Sequence, residues 1–565
     1  MYLIQVGLLS VIFIELILCF GLLEVTTKKG ILKGHQLLSR NGRVYNSFTG
    51  IPYAEPPIGE LRFEAPKEVK PWKEILDATK EPNACIQKGD LNSSEDCLYL
   101  NVYKPQVDKL LPVMFWIHGG AFSSGNGGSQ MFGPQYFMDK DVIIVSINYR
   151  LGVLGFMSTE DEVIPGNLGL KDQVLALRWV QENIELFGGN PNQVTVFGAS
   201  SGAASVGYHL LSPLSKDLFH GAILQSGTPL NRWAIEMPGI ARKRANIIFK
   251  KANCIDKNPK SLLKCLRKLP AKFFTNIASE FSEFLHYPIA FKPVVEKNCN
   301  INKNAFLCRH QFNDFYQESF VPVIIGINSA EGAMITSYLY NETSVLYPEF
   351  LQDDFKNTIS IILSYNKYAL PENVNDIGQR LLKKYYPREK MEDHTHFNTA
   401  EMMTDGAHLH GALSMAYSLL SPVYFYIYDY QNEFSFNKLF GPCKKYLGVT
   451  HGDELNSLFK LNAFNLKTLN DQDTKISKVM VNIWTQFAST LNKPTIDGTE
   501  EGSVWPTFES VQDQPFILLI NSIKPKLVKS NFKNKYEFWK SLPLLSKFYQ
   551  TMKKSNLMVN QKNEL

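Results

Sequence analysis

The chain has no internal repeat, no low-complexity tract and no Gly/Ser- or Pro-rich linker anywhere in its 565 residues. Solenoids, propellers and flexibly tethered modules are therefore excluded. Charge of one sign is scarce as well: 59 basic against 54 acidic residues leave +5 at pH 7, with no concentrated basic stripe. Nucleic acid is not an expected partner of such a surface. Carboxylate and cysteine clusters at metal-ligand spacing are missing, so no metal or other cofactor is expected. Beyond residue 23 no apolar run reaches membrane-spanning length.

What is present points to a large globular enzyme-sized core: 44% of residues are hydrophobic and 12% aromatic. Residues 3–23 are almost all apolar, with a small residue at Gly21. This reads as a signal peptide over residues 1–21 followed by a single domain over 22–565. A signal anchor is the competing reading, and no basic residue precedes the run, but Glu15 inside it would be costly at a bilayer centre. Outside that segment, six of seven cysteines fall into local pairs, as in a protein of an oxidising compartment. Cys85–Cys97 and Cys254–Cys265 are expected disulfides; the spacing leaves open whether Cys299 and Cys308 pair, and Cys443 is left over as a thiol. Acceptor sequons at Asn92 and Asn341 sit in polar stretches and are expected glycosylation sites. The terminal Lys562-Asn563-Glu564-Leu565 differs by one amide from an ER-retrieval signal, so the expected destination is the secretory pathway, either secretion or the ER lumen.

Apolar runs at Val113–Ile117, Val142–Ile147, Val194–Phe197, Ala222–Leu224, Val321–Gly326 and Val423–Tyr428 alternate with helical patterns, among them Leu170–Phe187. That alternation implies an α/β fold: a large, mostly parallel central sheet flanked by helices, with functional loops at the carboxyl ends of its strands. Residues 235–320 and 340–420 look helical and irregular, as insertions roofing a site would.

The chemistry gathers at those strand ends. Gly198-Ala199-Ser200-Ser201-Gly202 follows the Val194–Phe197 strand and opens a small-residue helix. Such a strand–turn–helix presents the serine hydroxyl clear of the backbone and aims the next N–H at what it attacks. A serine needs a base. Of eleven histidines, His451 lies in a glycine-flanked loop beyond the Val423–Tyr428 strand, where a hydrolase base belongs. The pairs His394/His396 and His408/His410 read as surface or helix-face residues. Glu331, just after the Val321–Gly326 strand, is the expected acid, and Asp405 the alternative. His118-Gly119-Gly120-Ala121-Phe122 matches a loop whose backbone N–H groups hold an oxyanion, so Gly120, Ala121 and Ser201 are the expected donors.

In this order the residues resemble the carboxylesterase/cholinesterase family of α/β-hydrolases. The resemblance runs from about Val25 to about Lys540 through Gly50-Ile51-Pro52-Tyr53-Ala54, Glu95-Asp96-Cys97-Leu98-Tyr99-Leu100-Asn101-Val102, Asn148-Tyr149-Arg150-Leu151-Gly152, Gly166-Asn167-Leu168-Gly169-Leu170-Lys171-Asp172-Gln173, Gly188-Gly189-Asn190-Pro191 and Leu224-Gln225-Ser226-Gly227. It is strongest to insect carboxylesterases, venom carboxylesterases among them. It implies a serine carboxylesterase acting on small-molecule esters through an acyl-enzyme on Ser200, with the triad Ser200, Glu331 and His451. It also implies the first two disulfides and Ser226 as a hydrogen-bond partner behind the triad. An esterase-like protein that holds esters and turns them over slowly is the other expectation. Two departures narrow the substrate. Ala199 stands where the resemblance predicts glutamate for cholinesterases and glutamine for juvenile hormone esterases. The Cys85–Cys97 loop contains no aromatic residue, whereas choline esters would need one for cation–π attraction.

Overall fold

The β-branched and aromatic runs become one thirteen-stranded sheet. Twelve of its strands are β1 (Leu23–Thr26), β2 (Ile31–Leu38), β3 (Val44–Pro52), β4 (Tyr99–Pro105), β5 (Leu111–Ile117), β6 (Ile143–Ile147), β7 (Gly189–Ala199), β8 (Gly221–Gln225), β9 (Val323–Asn328), β10 (Val423–Tyr428), β11 (Phe516–Ile520) and β12 (Lys526–Lys529). They lie in the order β1-β2-β3-β4-β6-β5-β7-β8-β9-β10-β11-β12. The computed structural model describes residues 23–551 except 91, 257, 286, 298, 300, 301, 310–318, 341–353, 387, 441–446, 465–468, 510 and 511. The expected signal peptide, Asn341, Cys443 and the terminal tetrapeptide lie outside the described residues.

Along this order the pairing is parallel from β6 through β5, β7, β8, β9 and β10 to β11, and the short thirteenth strand, Leu76–Asp77, pairs parallel with β2 off its edge. The first four strands and the β11–β12 edge are antiparallel. This division follows from the connections. Short turns join β1 to β2, β2 to β3 and β11 to β12, a long excursion that includes the Cys85–Cys97 loop joins β3 to β4, and helical crossovers join the parallel strands from β6 onward.

Alternation along β5 shows why the central strands read as continuous apolar runs. Val113, Phe115 and Ile117 face one core with α1 (Leu168–Asn183) and α2 (Ser201–His209). Met114 and Trp116 face the opposite core. The sheet is thus buried on both sides. Helices α3 (His396–Thr404) and α4 (His410–Ser418) belong to the second insertion. Ile476, Met480, Ile483, Trp484 and Phe487 of α5 (Asp471–Thr490) cover the second face. All three local cysteine pairs, Cys85–Cys97, Cys254–Cys265 and Cys299–Cys308, form disulfides. Among the described residues no helix is long and apolar enough to cross a membrane.

A buried ion pair fixes α1 to the loop after β6. Arg150 Nε and Nη2 donate to the two Asp172 oxygens at 2.8 and 2.6 Å, and Arg150 Nη1 donates to Glu64 O at 2.8 Å. The side chains are 5% and 0% exposed, so removing one partner strands a buried charge. Asp172→Ala is expected to destabilise the protein by about 3–5 kcal/mol. The measurement is a urea melt, in which the midpoint falls while the slope is kept.

Candidate active site

At the end of β7 the chain turns sharply. Ser200 has φ 58° and ψ −124°, outside the populated regions for a residue with a side chain. Two bonds hold it there: Ser200 N donates to Gln225 O at 2.8 Å, and Ala204 N donates to Ser200 O at 2.9 Å. The flanking glycines are demanded by the neighbouring strand. A Cβ on Gly202 would lie 2.1 Å from Ile117 O, and one on Gly198 would lie 2.6 Å from the same oxygen. The elbow is therefore pressed against the end of β5, from which the His118–Phe122 loop departs.

That loop makes a tight turn. Gly120, Ala121 and Phe122 have φ of 114°, 54° and 58°, and Gly120 O accepts from Ser123 N at 2.9 Å and Ser124 N at 3.0 Å. A Cβ on Gly119 would lie 2.7 Å from Ala199 O, so the glycine loop and the elbow touch. Ser201 opens α2, is fully buried, and its Oγ finds no hydrogen-bond partner.

Backbone bonds then step across the carboxyl edge of the sheet. Ser226 N donates to Gly326 O at 2.8 Å, Ser329 N to Tyr428 O at 2.9 Å and Ala330 N to Val449 O at 2.9 Å. They draw the loops after β8, β9 and β10 together. His451 Nδ1 and Glu331 Oε2 meet at 2.5 Å. Asn328 N donates to the other Glu331 oxygen at 2.7 Å, which fixes the carboxylate from behind.

The electrostatics follow from this packing. Burial opposes charge on Glu331, but the facing His408 and His451 imidazoles carry its carboxyl below the ordinary value. Burial likewise opposes charge on His451, and Glu331, with Glu454 and Asp453 beyond it, raises the imidazole above the ordinary histidine value. The pair is thus biased toward carboxylate and imidazolium. Glu454 is fully buried and accepts from Asn328 Nδ2 at 2.6 Å and Gln225 Nε2 at 3.2 Å; burial and the nearby Glu331 raise its carboxyl. Burial pushes Asp453 up to about 7, although Phe436 N, Thr450 N and Ser435 Oγ all donate to it.

Ser226 (φ 59°) is fully buried. Its Oγ is close enough to Glu331 to help lower the carboxyl but meets no partner at hydrogen-bond geometry. Asp405, the alternative acid, is occupied elsewhere: Tyr385 Oη donates to it at 2.8 Å and Lys535 Nζ at 3.1 Å. His394 is exposed and pairs with Glu392 at 3.3 Å. His410 stacks on Tyr536 with ring centroids 5.7 Å apart. Asn92 is exposed.

His408 corrects the sequence expectation. It is 6% exposed, and its ring centroid lies 4.8 Å from that of His451. Donor atoms of Glu331, His408 and His451 all fall within 4.8 Å of one another. A carboxylate–histidine cluster therefore exists that linear spacing did not show. Two imidazoles and a carboxylate are a set that zinc-like ions accept. Here His408 Nδ1 is committed to Ser226 O at 3.0 Å, and His451 Nδ1 to Glu331. The signal in the sequence was the His-x-His pair; its burial comes from tertiary packing alone.

The Carboxylesterase family profile matches residues 22–539. Juvenile hormone esterase of Tribolium castaneum is 36% identical over 492 residues, covering 82% of this chain and 83% of its own. Venom carboxylesterase-6 of Apis mellifera is 36% identical over 544 residues, covering 92% and 94%. The crystal structure of juvenile hormone esterase from Manduca sexta with OTFP covalently attached superposes with a TM-score of 0.79. It is 28% identical and covers 92% of this chain and 99% of that one. The fold is that of the α/β-hydrolases, and the chain belongs to the Carboxylesterase family as a carboxylic ester hydrolase.

Proposed function

We infer that the chain hydrolyses small-molecule carboxylic esters through an acyl-enzyme on Ser200. The observation that carries the reading is the 2.5 Å contact of His451 Nδ1 with buried Glu331, at the same carboxyl edge of the sheet as a serine held at φ 58°. Glu331 keeps the Nδ1 proton in place and leaves the Nε2 lone pair as the base. Ser200 Oγ adds to the ester carbonyl carbon while His451 Nε2 takes its proton. The new oxyanion is held by the N–H groups of Gly120, Ala121 and Ser201. Collapse expels the alcohol, which receives the proton from His451, and water then repeats the sequence on the acyl-enzyme to release the acid. The structure draws no Ser200–His451 hydrogen bond, and such bonds commonly tighten only when substrate is present. A ligand covalently attached to the Manduca sexta relative accords with covalent chemistry on this fold. Ser226 supports Glu331 from behind. Residues 1–21 serve as a signal peptide ahead of the 22–565 domain, directing it to secretion or the ER lumen. Asn92 and Asn341 carry glycans.

The test is direct. The purified protein is expected to turn over p-nitrophenyl butyrate and to lose activity with one equivalent of an organophosphate, whose mass is then found on the peptide containing Ser200. An unmodified Ser200 in the inhibited protein would refute the nucleophile. A full burst of p-nitrophenol followed by near-zero turnover would show ester sequestration instead.

A further inference from the structure

We propose that His408 is a positioning residue for His451, coupling the base to the turn behind the nucleophile; this rests on His451 being the base. A backbone carbonyl can only accept, so the 3.0 Å contact with Ser226 O places a proton on His408 Nδ1. Burial lowers this imidazole to about 4, and it is neutral throughout the working range. Its ring lies against the His451 ring at 4.8 Å and 44°. His451 is otherwise tied through Nδ1 to Glu331, a single bond about which a ring can rotate; the His408 side chain, pinned in place by its bond to Ser226 O, limits that rotation on one side. The same Ser226 turn supports Ser200, because Gly227 packs so closely that a Cβ there would lie 2.2 Å from Ser200 O.

The backbone beneath His408 is built for the purpose. Asp405–Leu409 form a π-helical turn between α3 and α4, a local widening that recurs at functional sites. Three consecutive side chains satisfy its carbonyls. Asn231 Nδ2 donates to Ala407 O at 2.6 Å and His408 O at 3.2 Å, Arg232 Nη2 donates to Gly406 O at 2.9 Å, and Trp233 Nε1 donates to Ala407 O at 2.8 Å. A regular helix would rotate residue 408 away from this register. The widened turn, held by 231–233, keeps the imidazole on His451.

Three groups raise the charge of His451 against its burial, Glu331, Glu454 and Asp453, and His408 is the neutral neighbour. If His408 holds His451 on Glu331, its loss slackens that contact. His408→Phe, which keeps a ring of similar size but no donor, is expected to lower kcat roughly 10- to 100-fold with KM within about threefold. The acid-limb midpoint of kcat/KM should fall toward the ordinary histidine value of about 6.5. His408→Asn, whose amide nitrogen can reach Ser226 O as Nδ1 does, should recover most of kcat and the midpoint. A lesion of folding alone would lower yield and melting temperature without moving the midpoint. Wild-type kcat and midpoint in His408→Phe would overturn the proposal. If that variant does not fold, His408→Asn decides, because an Asn variant as impaired as His408→Gln, whose longer side chain moves the donor, also overturns it. His451→Ala separates the two readings: activity surviving there removes the base itself, whereas an inactive His451→Ala beside a wild-type His408→Phe removes only the positioning role.

Discussion

Ser200→Ala is expected to lower kcat by about 10⁵–10⁶-fold, the scale on which removing a hydrolase nucleophile acts, with KM almost unchanged. The variant keeps the backbone N–H groups of Gly120, Ala121 and Ser201, so the oxyanion stabilisation proposed for them should survive together with ester binding. What is lost is the covalent step, which only the hydroxyl can perform. Residual hydrolysis should still exceed that in water, because the oxyanion donors and bound geometry contribute about 10³–10⁴-fold without the nucleophile. The substitution also separates geometry from chemistry. Ser200 sits at φ 58°, ψ −124°, and alanine suffers the same strain as serine there, so thermal stability should change little. A single-turnover assay showing an undiminished p-nitrophenol burst would place the nucleophile elsewhere.

Much of this site was legible along the chain because its parts are local. A serine between glycines after a strand, a glycine loop after β5, a glutamate three residues past β9 and a histidine flanked by glycine each carry their signal within a few residues. Strand positions followed from composition as well: Val142–Ile147 became β6 at Ile143–Ile147, and Val423–Tyr428 is β10 residue for residue. Three features were not legible, for one physical reason. The π-helical turn, the burial of His408 and the setting of the Glu454 carboxylate depend on contacts far apart in sequence. Asn231 and Ala407 are 176 residues apart, and Gln225 and Glu454 are 229 apart. A His-x-His pair on an apparent helix looks the same whether its helix meets water or the base of a triad. Asp405 illustrates the converse. It looked available as an acid, yet Tyr385 and Lys535, from two other elements, occupy its carboxyl.

Glu331→Gln is the sharper test of the electrostatic half of the site, because it preserves volume and alters only charge and proton placement. The wild-type sign comes first. His451 is raised above its ordinary value by Glu331, and its protonated form cannot act as base. Activity in kcat/KM should therefore be full on the alkaline side and fall as pH drops through a midpoint above about 6.5. Glu331 is lowered and stays ionised across that range, so it adds no second limb near neutrality. In the amide variant the largest raising influence is gone, Glu454 and Asp453 remain as lesser ones, and the burial that lowers His451 is unchanged, so the midpoint should fall from above about 6.5 toward that value or below it. The ceiling of the profile should collapse at the same time. Asn328 N donates to one Glu331 oxygen at 2.7 Å; if the glutamine oxygen takes that bond, its NH₂ faces His451 Nδ1. That Nδ1 must then accept, so the proton moves to Nε2, where the lone pair was needed for Ser200. The wrong tautomer costs about 10⁴-fold in kcat when an acid–amide exchange of this kind is made in a serine triad. A pH series of kcat/KM on wild type and Glu331→Gln reads both effects together. A variant with wild-type kcat, or a wild-type profile flat from pH 5 to 8, would remove the Glu331–His451 pair from the mechanism.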